Sequence, residues 1–402
     1  MALEVQVIES SFVAPSAATP RGLWLSSVDL SMAGRGHTPN VYFYRSTVAA
    51  TDMAVRLKES LAKASVAFYP LAGRLDVGDD GRLVIKCDNS QGALFVVARS
   101  ELSIGDYELT PSELTKLFVP RTDPPSIIMA IQGQPFTMSP WMAWEPFTSS
   151  RRGQPSRVEL PCQDRTLPRA RSPPVVHPDT LSVCSPKNSL CEPSAPTASR
   201  MFTISKDQIA SLKRLCGGES TFCAVSALLW QCTCVARRLP PDTMARISFS
   251  TNVRRSLSPP LPDRYFGNAI ISLYAAGAAG DIAAEALESV AGRIRSVISR
   301  VDDELVRSVV DYYELSQGNN ARQKGLRLRE TELRMVSWLG MPVYDVDFGW
   351  GKPWTLSRSE SAPAGYVHLV NNGPEEGSGI CVVASIEAAN MKEFERLLHA
   401  KL

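Results

Sequence analysis

Along the first 132 residues, short runs of β-branched and aromatic residues alternate with runs that repeat apolar positions at helical spacing. Val41–Arg45 (VYFYR), Arg82–Asp88 (RLVIKCD) and Ala93–Arg99 (ALFVVAR) predict strands. Asp52–Ser65 predicts a helix, with Thr51 or Asp52 as its cap. The second half repeats the alternation. Ser205 with Gln208 three positions later forms a capping-box pattern, and Gly217-Gly218 closes the helix it opens. Thr221–Arg238 predicts a buried helix and Ile247–Val253 a strand. From Asp281 to about Tyr313, Ile282, Leu287, Val290, Ile294, Val297, Val301 and Leu305 share one face, which predicts a single long amphipathic helix. Gly379–Ala388 predicts a buried strand before a short final helix. Interleaved strands and helices in two halves indicate an α/β protein of two domains.

The middle departs from this pattern. Residues 133–200 hold 12 of the 29 prolines, a density that forbids long helices and central strands and predicts a crossover linker. At 402 residues the length prior is two to three domains. Lys+Arg 43 against Asp+Glu 41 nearly cancel, which argues against a nucleic-acid binder. No apolar run approaches the roughly 18 residues of a membrane helix, and the first residues carry an early acid and no signal-peptide pattern. A cytoplasmic globular protein is expected. Its nine cysteines are scattered without a C-x-x-C pair, so they predict reduced structural thiols and no metal site.

Candidate chemistry begins at Asp347-Phe348-Gly349-Trp350-Gly351. Alone, two glycines around a Trp read as a tight turn with an aromatic plug. Other motifs precede it in order: Phe68–Leu75 (FYPLAGRL), Asp164–Pro174 (DRTLPRARSPP), Asn252–Leu257 (NVRRSL) and Tyr265–Ala269 (YFGNA). In this order they resemble the BAHD family of plant acyl-CoA-dependent acyltransferases, its hydroxycinnamoyltransferase branch above all. The resemblance covers nearly the whole chain apart from about Gly133–Gln163. It implies two chloramphenicol acetyltransferase-like α/β domains joined by a crossover loop: 1–163 (with 133–163 disrupted), a 164–200 linker, and 201–402. It also implies a channel between them, acyl-CoA as co-substrate, no other cofactor, and a His-x-x-x-Asp-Gly general base. A His suits that task because its unperturbed pKa lies near neutrality.

That motif is absent from the chain as written. The four histidines are His37, His177, His368 and His399, and none has Asp four positions later. His177 has Asp179 at the wrong spacing and lies beyond the Asp164–Pro174 landmark. The genetic code locates the missing motif. In Phe136–Glu145, each codon's last base can be read with the next codon's first two. Trp141 into Met142 then forces Asp, Met142 into Ala143 forces Gly, and Trp144 into Glu145 forces Gly. Phe136 into Thr137 gives His or Tyr, and Thr137 into Met138 can give His. The shifted frame permits His-His-x-x-x-Asp-Gly-x-Gly, so we read this segment as the motif translated out of frame. Ile127–Ala130 begins the strand leading into it, Gly133-Gln134-Pro135 cuts that strand short, and the frame returns by Asp164. A splice variant, a gene-model error or a true mutation each leaves this pattern. Irregular, poorly buried structure is expected over the five-proline stretch Gly133–Gln163.

The resemblance implies further roles. Family members that acylate shikimate carry an Arg where Gly340 stands, in Ser337–Pro342. Without a guanidinium for the carboxylate, an amine acceptor such as putrescine or agmatine is the better reading, with shikimate or quinate the alternative. The donor implied is a hydroxycinnamoyl-CoA. Asp347 is expected to pair with Arg254 or Arg255, and Trp350 to offer its indole N–H to an oxyanion or simply pack between domains. Gly349 and Gly351 shape the turn. His37, Thr38 and Tyr42, in the segment HTPNVYFYR, are candidate substrate-binding residues, with Ser26 and Ser27 also lining the channel. A monomer is expected, without nucleic-acid or membrane partners. The remaining alternative is a catalytically inactive homologue that acts only as a binding protein.

Overall fold

A computed structural model describes residues 5–33, 36–45, 50–88, 91–100, 111–122, 126–133, 160–184, 195–316, 328–358, 362–374 and 377–402. The N-terminal half runs β1 (Gln6–Val13), β2 (Gly22–Trp24), α1 (Ser27–Ala33), β3 (Asn40–Phe43), α2 (Ala50–Ala67), a 3-10 turn Tyr69–Ala72, β4 (Arg74–Val77), β5 (Leu83–Lys86), β6 (Ala93–Arg99), α3 (Pro111–Phe118) and β7 (Ala130–Gly133). After α4 (Pro178–Leu181) in the crossover come β8 (Thr197–Ser205), α5 (Lys206–Leu215), α6 (Thr221–Ala236), β9 (Met244–Asn252) and β10 (Ile270–Ala278). Then follow α7 (Ala279–Ala284), α8 (Leu287–Ile298), α9 (Asp303–Leu315), β11 (Glu332–Ser337), β12 (Thr355–Arg358), β13 (Tyr366–Asn371), β14 (Gly379–Glu387) and α10 (Ala388–Lys401).

Among the described residues, the C-terminal half is built on a mixed six-stranded sheet in the order β10-β9-β11-β13-β14-β8. Strand alternation sends Ile247, Phe249, Leu333, Met335, Val367 and Leu369 into a core shared with α6, α8 and α10. Trp230 and Leu228 of α6 are fully buried there, because that helix is apolar nearly all round. In the N-terminal half β6 lies between antiparallel β1 and parallel β7, and its residues are buried on both faces. The C-terminal half also lends a strand across: β12 pairs antiparallel with β3, Leu356 opposite Tyr42. The crossover is pinned to α9, where the Asp311 carboxylate accepts from Arg171 N at 2.8 Å, Arg171 Nε at 2.6 Å and Val175 N at 2.9 Å.

Most predicted elements stand where expected. Ser205 caps α5 with a reciprocal capping box, and Gly217 and Gly218 follow at positive φ. The long helix of residues 281–313 is instead three helices. Glu285 is extended, with ψ of 156°, and its carboxylate accepts from Ser289 and Arg293. Asp302 then caps α9 by accepting from Leu305 N at 2.8 Å. Each helix turns its apolar stripe to the same core, so the periodicity runs on across the breaks. The α2 helix runs from Ala50, so positions 51 and 52 lie within its first turn and not ahead of it. The final helix is longer than predicted, at 14 residues. Gly133 is the buried last residue of β7, while most of the stretch expected to be irregular (134–159) lies outside the described residues. Leu160 is exposed, and Cys162 pairs with Tyr265.

Candidate functional site

The turn Asp347–Gly351 connects β11 to β12 and sits against the N-terminal half. Strand β3 explains the seat. Its alternation sends Val41 and Phe43 toward Leu114, Leu117 and Phe118, and sends Tyr42 toward Met53, Phe95, Ile131 and Val346. Tyr44, just past the strand, joins Tyr42 in that second cluster. Phe348 meets the Tyr44 ring at 5.8 Å, Trp350 stacks on Phe348 at 5.5 Å, and Tyr44 Oη donates to Val346 O at 3.4 Å. Trp350 therefore packs at the join of the two halves.

The expected Asp347–arginine pair does not form. Asp347 Oδ1 accepts from Gly349 N at 2.7 Å and Gly351 N at 2.9 Å, closing its own turn. Gly349 and Gly351 have φ of +98° and +104°, a region open to glycine, which folds the backbone tightly enough for one oxygen to reach both amides. Arg254 is committed elsewhere. It donates to Gly267 O at 2.7 Å and to Asn252 Oδ1 at 3.2 Å, and its guanidinium lies 5.9 Å from the Tyr265 ring. Arg255 is exposed and makes no ion pair among the described residues. Asp347 is thus a turn-former that orients Trp350. The Trp350 indole Nε1 is buried without a hydrogen-bond partner, an unspent donor at the join.

His37 and Thr38 line a cavity of about 310 Å³ with Asn40, Leu71, Phe118 and Gln132. Ile128–Gln132 also line it, which includes the start of β7 and two residues, Met129 and Ile131, of the Tyr42–Val346 cluster. His37 Nε2 lies 2.7 Å from Ile127 O. A carbonyl only accepts, so Nε2 is the donor in this bond. Tyr42 is not part of this wall; it is buried in the aromatic cluster. Ser26 and Ser27 also fail to line open space. They are buried, with Ser26 Oγ donating to Asp29 and Ser27 Oγ to Glu314. Gly340 is exposed at φ +76° in a turn closed by Met341 N donating to Trp338 O, and it does not reach the cavity.

The other histidines offer no base at this site. His177 is exposed and paired with Glu304, and His399 packs beside Phe202. His368 is buried, and its imidazole pKa falls to about 3 through burial first and the nearby Arg358 charge second. Segment 136–142, where the shifted frame puts the base, lies outside the described residues. It follows β7 directly in the chain. The buried cysteines behave as small core residues: burial pushes the Cys232 and Cys234 thiols up to about 12. Among the described residues no three His, Cys, Asp or Glu side chains converge as metal ligands would.

Sequence reasoning missed Asp29, Arg165 and Asn268, which meet at the join. The S-x-x-D spacing of Ser26 and Asp29 was the available signal.

Comparison with known proteins places these observations. The model of the transferase family matches residues 3–132 and 137–400, with a break at the end of β7. A hydroxycinnamoyltransferase of Narcissus pseudonarcissus is 33% identical, over 98% of this chain and 99% of its own. Putrescine hydroxycinnamoyltransferase 1 of Oryza sativa subsp. japonica is 35% identical over the full length of both chains. That alignment spans 448 positions against 402 residues here, so at least 46 positions of it have no counterpart in this chain. Shikimate O-hydroxycinnamoyltransferase of Nicotiana tabacum is 31% identical over 99% of this chain and 100% of its own. Among solved structures, vinorine synthase superposes with a TM-score of 0.77 at 20% identity, over 99% of this chain and 98% of that one. The crystal structure of F. graminearum TRI101 with coenzyme A and T-2 mycotoxin gives 0.74 at 15% identity, over 94% and 97%. These likenesses show the fold, two α/β domains of the expected acyltransferase kind.

Proposed function

Because the chain belongs to the BAHD acyltransferases, the transferase family whose model it matches, we propose that it transfers a hydroxycinnamoyl group from a CoA thioester to a small amine of the putrescine or agmatine kind. The observation that carries this reading is similarity over the whole chain to relatives named hydroxycinnamoyltransferase and putrescine hydroxycinnamoyltransferase 1. The shikimate reading is its competitor, supported by the tobacco relative. We take the domains as 1–163 and 201–402 around a 164–200 crossover, in a cytoplasmic monomer.

In this reading the acceptor nitrogen attacks the thioester carbonyl carbon while a base takes its proton. The carbonyl oxygen becomes an oxyanion, and collapse expels the CoA thiolate, which the proton then neutralises. Trp350 Nε1–H is the donor offered to that oxyanion, held in place by the Asp347 turn. His37 Nδ1 and Thr38 hold substrate in the cavity beside β7. The base belongs to the segment after Gly133 and is lost when that segment is read out of frame, which leaves this chain impaired or a binding protein only. The test is an acceptor panel on a version recoded to the other frame. Putrescine or agmatine should exceed shikimate in kcat/KM, and a preference for shikimate with Gly340 in place would sink the amine reading.

A further inference from the structure

Away from the turn and the cavity, one buried polar cluster joins both halves and the crossover. Asp29, on α1, is 5% exposed. Its Oδ2 accepts from Ser26 N at 3.1 Å and Ser26 Oγ at 2.7 Å, closing a capping box with Asp29 N donating back to Ser26 Oγ. Its Oδ1 accepts from Asn268 N at 3.0 Å and Asn268 Nδ2 at 3.1 Å, in the Tyr265–Ala269 motif of the other half. Arg165, at the start of the crossover and 7% exposed, brings Nε within 3.1 Å of Asp29 Oδ2. That Nε–H makes no aligned hydrogen bond, so the pair is held by charge. One carboxylate therefore ties three segments that lie more than 100 residues apart.

The cluster also reaches the cavity. The Arg165 guanidinium lies 5.5 Å from the Tyr265 ring, and a side chain at Gly267 would collide with both groups. Next in the motif, Phe266 meets Phe68 edge-to-face at 4.9 Å. Phe68 precedes the 3-10 turn Tyr69–Ala72, and Leu71 of that turn lines the cavity. Asn268, Phe266, Phe68 and Leu71 thus link Asp29 to the cavity through two contacts and two short runs of backbone, and packed contacts of this kind transmit displacement.

We propose that Asp29 is a positioning residue: its carboxylate holds the Tyr265–Ala269 motif and Arg165 onto α1, and so sets the two halves and the Leu71 wall of the substrate cavity. The effect on substrate rests on the acyl-CoA reading above, whereas the coupling of segments does not.

Two variants test it. Asp29→Asn keeps the size and removes the charge that faces Arg165. Asp29→Asn with Arg165→Gln also removes the uncompensated buried cation, the main source of instability in the single variant. Amide hydrogen exchange is followed by mass spectrometry over residues 26–33 and 262–272, with residues 221–236 of α6 as the internal standard. Binding of p-coumaroyl-CoA is measured by calorimetry on the same full-length proteins. Asp29→Asn should speed exchange in both segments by about tenfold or more with α6 unchanged. It should also weaken the thioester by about tenfold, the order expected for a small misplacement of a binding wall. The double variant should regain melting temperature but not affinity. Unchanged exchange over residues 262–272 in Asp29→Asn, or affinity that returns with melting temperature in the double variant, would overturn the proposal. If the unaltered chain binds no CoA thioester, the acyl-CoA reading fails while the exchange arm still decides the positioning role.

Discussion

His368 is the buried histidine nearest to being mistaken for a replacement base, and its titration gives a quantitative check. It lies on β13 with Val367 and Leu369 pointing into the core on the opposite face. Its pKa falls from 6.5 to about 3 in the folded chain, through burial and then the Arg358 charge. As pH falls below 6.5 the unfolded chain takes up a proton that the folded chain refuses, so stability falls with pH through this window and levels off below about 3. At 1.36 kcal/mol per pKa unit, this costs about 2 kcal/mol between pH 7 and pH 5. That figure holds for any folded pKa at or below about 4, because it is set by the unfolded value. Urea unfolding at pH 7, 6 and 5 should show the parent losing about 2 kcal/mol more than His368→Gln over this range. Parallel curves would refute the buried neutral imidazole. The functional corollary uses the frame-restored enzyme, where His368→Gln should leave the pH dependence of kcat/KM in place. Loss of its acid limb would make His368 the base.

Two further outcomes test the site. Trp350→Phe keeps the ring against Phe348 and removes the donor, so kcat in the frame-restored enzyme should fall on the order of 10²-fold with stability nearly unchanged. Steady-state kinetics with kcat unaltered would reduce Trp350 to packing. Gly340→Arg should cost about 1–2 kcal/mol in thermal unfolding because of the φ of +76°. It should also lower amine use relative to shikimate, and an unchanged acceptor ratio would show that Gly340 has no part in selection.

Local signals in the sequence carried over well. Strand β6 occupies the residues Ala93–Arg99 marked by their β-branched and aromatic run, and Ser205 with Gln208 forms both bonds of its capping box. Periodicity over residues 281–313 predicts one helix where three stand, because it reports which face is buried and not whether the backbone is continuous. The breaks depend on Asp302 capping and on Glu285 leaving the helix. The site was legible as motifs but not as partnerships. The motif order suggests a distant arginine for Asp347, yet two glycines at positive φ bring its own turn's amides within reach. The motif that holds Tyr42 points to a channel residue, whereas strand alternation places it inward beside Tyr44. For Asp29 the Ser26-x-x-Asp29 spacing announces only a helix cap, whereas its partners Arg165 and Asn268 come from the crossover and the other half.

We propose that this chain descends from a hydroxycinnamoyl-CoA acyltransferase whose catalytic segment is read out of frame. The most direct measurement is turnover of p-coumaroyl-CoA with putrescine, by this chain and by a version recoded to the other frame between Phe136 and Gln163. Removing a general base costs about 10²–10⁴-fold, so the recoded enzyme should turn over and the chain as written should fall short of it by at least ~10²-fold. Turnover by the chain as written within tenfold of the recoded version would contradict the account.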